Sequence, residues 1–316
     1  MSLSADTTLA LPAEPPFAFA RSASVLDRAA PPAGGRYTPR DALVTGGFAP
    51  EPFVAHLSPD GPDAVRAHVD WLDGRGDGSA VAAHLDAFLS LSDDPTPLYD
   101  AAADDEAFAP VAAELRGYHH VRFPTPFEAA CWAALSRRTT TPVAAARRDS
   151  LVRELGRVAV VDGETVSLFP TARTVRANPG AVRTAVEGTA ADGERRSATD
   201  RTDPDRADDS ESILAAAELF AASGSDLREL GTDDLRDRLA SLRGFGPRAA
   251  AFVAFRGFGR ASVLPTTAAR LRSLVGEAYG VEDPTEETVR RLAEPYGEYR
   301  GYWAHYLHVD ALLDEE

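Results

Sequence analysis

The stretch Leu242-Arg243-Gly244-Phe245-Gly246-Pro247 decides how this chain folds. Leucines at helical spacing come before it, and Pro247 is suited to the first turn of a second helix. Gly244 and Gly246 can adopt positive φ angles and leave their N–H groups unobstructed. The sequence therefore predicts two helices joined by a tight turn over about 232–257, with N–H groups that could hold a phosphate.

The charge around this turn differs from that of the rest of the chain. The formal net charge is -16, and all 33 basic residues are arginine. Residues 238–276 nevertheless contain no Asp or Glu, and their seven arginines are Arg238, Arg243, Arg248, Arg256, Arg260, Arg270 and Arg272. Such a window predicts a cationic surface for an anionic polymer.

Composition excludes several classes of protein. With 316 residues and 44% hydrophobic residues, the chain can bury a substantial core in two or three units. No apolar run approaches the ~20 residues of a membrane span, and the first twelve residues lack the features of a secretory signal. We therefore expect a cytoplasmic protein with no membrane association. A strongly acidic chain without lysine is typical of a salt-rich cytoplasm, so we expect a halophilic source.

Two residue counts limit the chemistry. The single cysteine, Cys131, excludes disulfides within the chain and cysteine-based metal sites, and we expect a buried thiol and no metal centre. Because lysine is absent, no side chain can form a Schiff base with a sugar aldehyde.

The pattern changes along the chain. Residues 1–88 alternate short apolar stretches with Pro/Gly-rich turns, which predicts a small β-rich N-terminal domain. Residues 89–316 show helical periodicity and are predicted to form a mostly α core. Within it, 176–211 is polar, acidic and poor in large apolar residues, which predicts a flexible insertion.

Several motifs resemble those of the helix-hairpin-helix DNA glycosylases. They are Gly244-Phe245-Gly246-Pro247-Arg248-Ala249-Ala250, Arg256-Gly257, Val263-Leu264-Pro265, the run from Pro126 to Leu135, Val143 to Ala146, Phe169-Pro170-Thr171 and the closing Pro295 to Tyr306. The nearest branch is the alkylation-repair group, 3-methyladenine DNA glycosylase II. The resemblance implies an α+β fold, in which a small β-rich domain is followed by a two-lobed all-α core.

This resemblance also implies partners and site residues. The protein would be a monomer that binds double-stranded DNA and takes up one extruded nucleotide, and a monovalent cation could accompany the hairpin. Trp132 and Tyr302 would contribute to a base pocket. The DNA-binding residues would be Gly244, Phe245, Gly246, Arg248, Arg137, Arg138 and Arg243.

Four residues depart from the family pattern. The family's catalytic aspartate lies two residues after the proline matched by Pro265, and Thr267 stands there. Threonine can still cap a helix, so we expect Thr267 to cap one over 268–278, but its hydroxyl carries no negative charge for an oxocarbenium-like sugar. Arg248 replaces a pocket aromatic or a reactive lysine, and Arg137-Arg138 replace a glutamine pair that fills the space of the flipped base.

Three functions therefore stay open. The first is a monofunctional glycosylase that releases alkylated purines. The second is a catalytically impaired relative that binds damaged DNA, and the third is a protein-interaction scaffold that keeps only the fold.

Overall fold

We analysed a computed structural model that describes residues 4–28, 35–38, 42–161, 164–187, 208–224 and 226–314. The strands are β1 (Ser4–Pro12), β2 (Gly35–Thr38), β3 (Ala42–Phe48), β4 (Pro52–Pro59), β5 (Ala64–Trp71), β6 (Arg157–Val161) and β7 (Glu164–Leu168). The first eight helices are α1 (Phe19–Arg28), α2 (Gly78–Leu89), α3 (Thr96–Ala102), α4 (Ala109–Glu114), α5 (Pro126–Leu135), α6 (Thr141–Leu155), α7 (Ala172–Ala177) and α8 (Pro179–Glu187). The others are α9 (Asp209–Ser223), α10 (Asp226–Glu229), α11 (Thr232–Ala240), α12 (Pro247–Arg256), α13 (Ala269–Tyr279), α14 (Glu286–Ala293), a 3₁₀ helix (Glu294–Tyr299) and α15 (Arg300–Asp314).

The chain forms two compact units. Unit 1 combines Met1–Pro124 with Gly259–Glu316, and unit 2 is the continuous segment Thr125–Phe258. The unit that contains the N-terminal sheet therefore also contains the C-terminal helices.

The sheet of unit 1 is antiparallel and has the strand order β1-β5-β4-β3-β2. The residues of β5 alternate between buried and more exposed positions, as expected for a sheet with one covered face. Helix α2 contributes Val81, Leu85 and Phe88 to the same buried cluster as the sheet. The predicted β-rich N-terminal part followed by a helical core is confirmed.

A second buried cluster in unit 1 is helical. It joins residues of α3 and α4, such as Leu98 and Val111, to residues of α13 and α15, such as Leu271 and Trp303. The hydroxyl groups of Tyr279 and Tyr296 donate to Asp105 Oδ2 at 2.6 and 2.8 Å. The indole N–H of Trp303 donates in turn to the hydroxyl of Tyr279 at 3.0 Å. These bonds satisfy polar groups inside an otherwise apolar core.

Unit 2 is built on α5, which packs against α6, α9 and α12. A capping bond from Glu128 N to Thr125 Oγ1 at 3.1 Å starts this helix. Phe127 lies 5.8 Å from Phe220, and the ring of Phe220 stacks on Phe258 at 6.1 Å between centroids. Strands β6 and β7 form a small antiparallel pair.

The predicted flexible insertion at 176–211 contains helical structure at both ends. Helix α8 occupies 179–187 and buries Val182, Ala185 and Val186, and α9 begins at Asp209. The apolar spacing within α8 supports a helix although the flanking sequence is polar. The middle of the insertion, 188–207, lies outside the described residues.

Candidate nucleic-acid interface

The turn between α11 and α12 has the geometry that its glycines allow. Gly244 adopts φ +79°, a left-handed conformation, and Phe245 N donates to Leu242 O at 2.9 Å to close the turn. Phe245 is buried and anchors the turn to unit 2. Five of the seven predicted DNA-binding residues therefore lie within this turn and the first turn of α12.

The N-terminus of α12 is open. Gly246 is its N-cap residue, and among the described residues no side chain caps it. A Cβ built on Gly246 would meet no described heavy atom within 4 Å. The N–H groups of Gly246, Arg248 and Ala249 have no partner within the helix because they belong to its first turn. Together they can bind an anion at the positive end of the helix dipole.

A buried ion cluster supports the turn from behind. Arg137, which follows α5, donates a short hydrogen bond from its guanidinium to the carbonyl of Gly244. Its other Nη lies 3.3 Å from Asp209 Oδ1, and Arg147 Nη1 lies 3.0 Å from Asp209 Oδ2. The sequence grouped Arg137 with the DNA-contacting residues, whereas the structure shows it engaged inside unit 2. Asp209 and Arg147 were not predicted, because they are distant in sequence from the turn that they support.

The remaining predicted arginines are exposed. Arg138 and Arg248 form no ion pair with any described residue. Arg243 pairs with Glu211 at 3.0 Å, and both side chains are substantially exposed, so the pair contributes little to stability. Arg238, in the last turn of α11, is also exposed and unpaired in the described part of the chain.

The acid-free arginine window has mixed roles. It crosses from unit 2 into unit 1 after Phe258. In unit 1, Arg272 Nη1 donates to the carbonyl of Thr266 at 3.4 Å. Arg256, Arg260 and Arg270 also make interactions within the protein. Within this window, the guanidinium groups that have no partner among the described residues are those of Arg238 and Arg248, and both belong to unit 2.

Thr267 lies in an exposed turn before α13. The expectation that it caps this helix is wrong, since the N-cap residue is Ala268 and no described side chain caps α13. Its neighbour Thr266 instead donates from Oγ1 to Glu286 Oε2 at 3.3 Å. Glu286, at the start of α14, was not predicted, because its sequence position gives no sign of contact with this turn.

Both predicted base-pocket residues are buried. Trp132 belongs to the core of unit 2, and Tyr302 belongs to the helical core of unit 1. The hydroxyl of Tyr302 donates a short hydrogen bond to Asp93, and burial, followed by the charge of Asp93, raises the pKa of this phenol well above its usual value. In this structure, neither ring offers an exposed face to a base.

A second buried ion pair lies in unit 2, between α5 and α6. The guanidinium of Arg148 donates to Glu128 Oε1 from Nε at 3.1 Å and from Nη2 at 2.6 Å. Burial raises the pKa of Glu128, and the charge of Arg148 opposes this rise. Cys131, one helical turn along α5, is buried as expected, and burial raises the pKa of its thiol well above the usual value.

The described residues contain neither a candidate metal centre nor a candidate membrane span. Over the described ranges, no cluster of three or more His, Cys, Asp or Glu residues could hold a metal ion. No described helix has the length and apolar character needed to span a bilayer.

Known proteins resemble this chain in structure but not detectably in sequence. No family model matches this sequence, and no curated protein matches it. The solved structure of a 3-methyladenine DNA-glycosylase from Archaeoglobus fulgidus superposes with a TM-score of 0.75 over 98% of this chain and 100% of that chain, at 17% identity. The chain has the fold of the helix-hairpin-helix DNA glycosylases.

Other solved structures share this glycosylase fold. The Clostridium acetobutylicum 8-oxoguanine glycosylase/lyase, in complex with double-stranded DNA containing cytosine opposite 8-oxoG, gives a TM-score of 0.70 at 13% identity and covers 100% of both chains. MBOgg1 in complex with a low-affinity DNA ligand gives 0.72 at 14% identity, over 98% of this chain and 97% of that chain. The resemblance to helix-hairpin-helix DNA glycosylases that the sequence indicated is therefore confirmed at the level of the fold.

Proposed function

We propose that this protein is a DNA-binding base-excision-repair glycosylase that releases alkylated purines from double-stranded DNA. The observation that carries the proposal is the open N-terminus of α12, together with the exposed Arg138 and Arg248, which form no ion pair with any residue that the structure describes. Backbone N–H groups and arginines are the groups that hold DNA phosphates. The fold shared with the 3-methyladenine glycosylase and with the DNA-bound 8-oxoguanine enzyme supports the same function.

The chemistry we propose is hydrolysis of the N-glycosidic bond. The bond from the sugar C1′ to the base nitrogen breaks, the bonding electrons leave with the base, and the oxygen of water binds C1′ as a proton is released. A base that is already cationic through alkylation leaves neutral and needs no protonation. An alkylated purine is therefore the substrate that suits a site with weak electrostatic support. Since the chain has no lysine, the protein would be monofunctional and would not cleave the strand through an imine.

Thr267 stands where the family places its carboxylate, and a hydroxyl cannot stabilise positive charge on the sugar in the same way. Glu286 accepts a hydrogen bond from the adjacent Thr266 and brings a carboxylate to this turn. We propose that Glu286 supplies part of the missing negative charge. Because Arg290 pairs with Glu286 at 2.9 Å and offsets part of its charge, the reaction would be slow.

The substitution at 267 also favours a second function, damage recognition without catalysis. Both functions need the hairpin, and they differ only in base release. A protein-interaction scaffold would need neither the open helix N-terminus nor the unpaired arginines.

The deciding experiment is release of base from alkylated duplex DNA in molar KCl, with the wild type, Thr267→Ala and Thr267→Asp. Release by the wild type that survives Thr267→Ala supports a glycosylase with a relocated carboxylate. No release by the wild type, with tight binding and activity gained in Thr267→Asp, supports the recognition function. If the wild type neither releases base nor binds DNA, both proposals fail.

The setting of this function is also proposed. The net charge of -16 and the absence of lysine support activity in a salt-rich cytoplasm, and we propose that a monomer suffices. At molar salt the screening length falls to ~3 Å, so hydrogen bonds and shape would contribute more to affinity than long-range attraction.

A further inference from the structure

The hairpin carbonyl at Gly244 is occupied by a cationic side chain of the protein itself. The resemblance to glycosylases implies a monovalent cation at this hairpin, and such a cation is bound by backbone carbonyl oxygens. Here the guanidinium of Arg137 donates directly to the Gly244 carbonyl, from a residue 107 positions away. A metal cation on the same oxygen would lie beside a fixed positive charge, which would repel it. The residues present therefore do not fit a cation bound to the Gly244 carbonyl.

We propose that Arg137 takes the place of the monovalent cation and is the positioning residue of the DNA-binding hairpin. This inference rests on the proposed function. Like a bound cation, the guanidinium attracts the partial negative charge of the carbonyl oxygen and fixes its direction. It thereby fixes the turn that leads into the open N-terminus of α12. DNA binding by this protein is consequently independent of the identity of the monovalent cation.

The contacts of Arg137 hold its guanidinium in place within the protein, whereas an arginine that binds DNA phosphate would extend into solvent. Asp209, whose side chain is 4% exposed, binds the second Nη of Arg137 and holds the guanidinium in place. Asp209 is itself held by Arg147, whose side chain is 10% exposed. The turn has been fitted to this arrangement, because a Cβ on Gly244 would lie 2.9 Å from Arg137 Nη1. Arg138, the next residue, has none of these contacts and is exposed.

The test compares wild type, Arg137→Gln, Arg137→Lys and the matched control Arg138→Gln. The dissociation constant for a duplex with an abasic site is measured in potassium chloride and in tetramethylammonium chloride of equal ionic strength, since tetramethylammonium is too large to bind a carbonyl cluster. Hydrogen exchange of the Gly244 and Gly246 amides is measured in both salts without DNA. Thermal unfolding of each variant confirms that it is folded.

We expect wild-type affinity and amide exchange to be the same in both salts. Arg137→Gln should bind about ten- to hundredfold more weakly in tetramethylammonium, as for loss of a hydrogen bond from a charged donor, and should recover in potassium. Arg137→Lys, which keeps the charge, should lose less. Arg138→Gln should weaken binding equally in both salts.

Two results would overturn the inference. One is slower amide exchange or tighter DNA binding of the wild type in potassium than in tetramethylammonium, which would place a metal cation at the hairpin. The other is a loss in Arg137→Gln that is equal in both salts, which would leave Arg137 a purely structural role. Because amide exchange is read without DNA, it decides the role of Arg137 even if the wild type does not bind DNA and the proposed function fails.

Discussion

Gly244 and Ser212 approach each other so closely that a side chain at position 244 has no space. A Cβ built on Gly244 would lie 1.9 Å from Ser212 Oγ and 3.0 Å from Ser212 Cβ. Ser212 lies on α9, which starts at the residue that holds Arg137. The hairpin turn is therefore fixed by α9 as well as by its own backbone.

Replacing Gly244 with alanine should destabilise the protein and abolish DNA binding. The positive φ alone costs about 1 to 3 kcal/mol for a residue with a side chain, and the contact with Ser212 adds to this. Gly246→Ala is the matched control, because its Cβ would enter open space. It should keep the free energy of unfolding and still weaken DNA binding, since the methyl group would stand where a phosphate approaches. Chemical denaturation and DNA titration separate the two effects, and equal stability losses in both variants would contradict the contact with Ser212.

Arg138 and Arg248 should contribute to DNA affinity through phosphate contacts. Each glutamine substitution should reduce the slope of log K against log salt by about 0.9 and leave stability unchanged. Arg183 on α8 of the same unit is exposed and has no partner among the described residues, so it provides a control with the same change in charge. Binding isotherms at several KCl concentrations measure the slopes. A slope for Arg183→Gln that falls as much as the other two would show that only net charge matters.

Glu286→Gln should lower base release if this carboxylate supports the positive sugar. Removing one electrostatic group of this kind typically slows a reaction by ~10²- to 10³-fold, which is the upper limit for Glu286 because Arg290 offsets part of its charge. Glu287→Gln is a close control. Glu286 and Glu287 both lie in the first turn of α14 and both pair with Arg290, but of the two only Glu286 contacts Thr266. Single-turnover release from alkylated duplex compares the two. Equal rates for both variants would exclude Glu286.

The pair formed by Glu128 and Arg148 should produce a pH-dependent stability defect when it is broken. Arg148→Met leaves the buried carboxyl unpaired, so its pKa rises further above the ~4.3 expected in the unfolded chain. A carboxyl whose pKa is raised by folding stabilises the protein below the unfolded value, and this contribution is lost as pH rises through the folded value. The defect should therefore be smallest near pH ~4 and reach about 3 to 5 kcal/mol at neutral pH.

Urea denaturation between acidic and neutral pH measures this dependence. The double variant Glu128→Gln with Arg148→Met is its control, because it has no carboxyl to titrate and should show little change with pH. A defect in Arg148→Met that is constant over this range would mean that lost packing, rather than the unpaired carboxyl, causes it.

Gly259→Ala should destabilise unit 1 more than Gly280→Ala. Both glycines have positive φ, +71° and +65°, so the backbone cost is similar. A Cβ on Gly259 would lie 2.0 Å from Cζ of Arg122, which is held by Asp93 through two bonds of 2.7 and 2.8 Å, whereas a Cβ on Gly280 meets nothing. The difference in unfolding free energy isolates the contact with the guanidinium. Equal losses would show that Arg122 moves aside at no cost.

The features that sequence analysis found are those encoded by neighbouring residues. The hairpin depends on Gly244, Gly246 and Pro247 within four positions, and local backbone preference is enough to predict it. The prediction that Thr267 replaces a carboxylate likewise uses only the spacing to Pro265, together with the resemblance to the glycosylases. The order of a small sheet before a helical core follows from the change in hydrophobic periodicity.

The features that sequence analysis missed depend on distant contacts. Arg137 is a basic residue of the type that binds DNA. Only its contacts with Gly244 and Asp209 show that it stabilises the hairpin turn from within unit 2. The contact of Thr266 with Glu286 joins two helix starts twenty residues apart. The capping role expected for Thr267 fails because α13 begins one residue later than a threonine cap would require.

The discontinuity of unit 1 has a consequence for synthesis of the chain. The residues of the sheet cluster lie between Leu11 and Val121, so they are all available before unit 2 has been made. The helical cluster instead needs Leu271 and residues of α15, which are translated after unit 2. Until the whole of unit 2 has been translated, this cluster therefore cannot form, and the apolar side chains of Leu98, Phe108 and Tyr118 stay uncovered. A nascent chain stalled before residue 259 would carry a complete hairpin and an incomplete helical core, which makes it a substrate for chaperones rather than a DNA-binding protein.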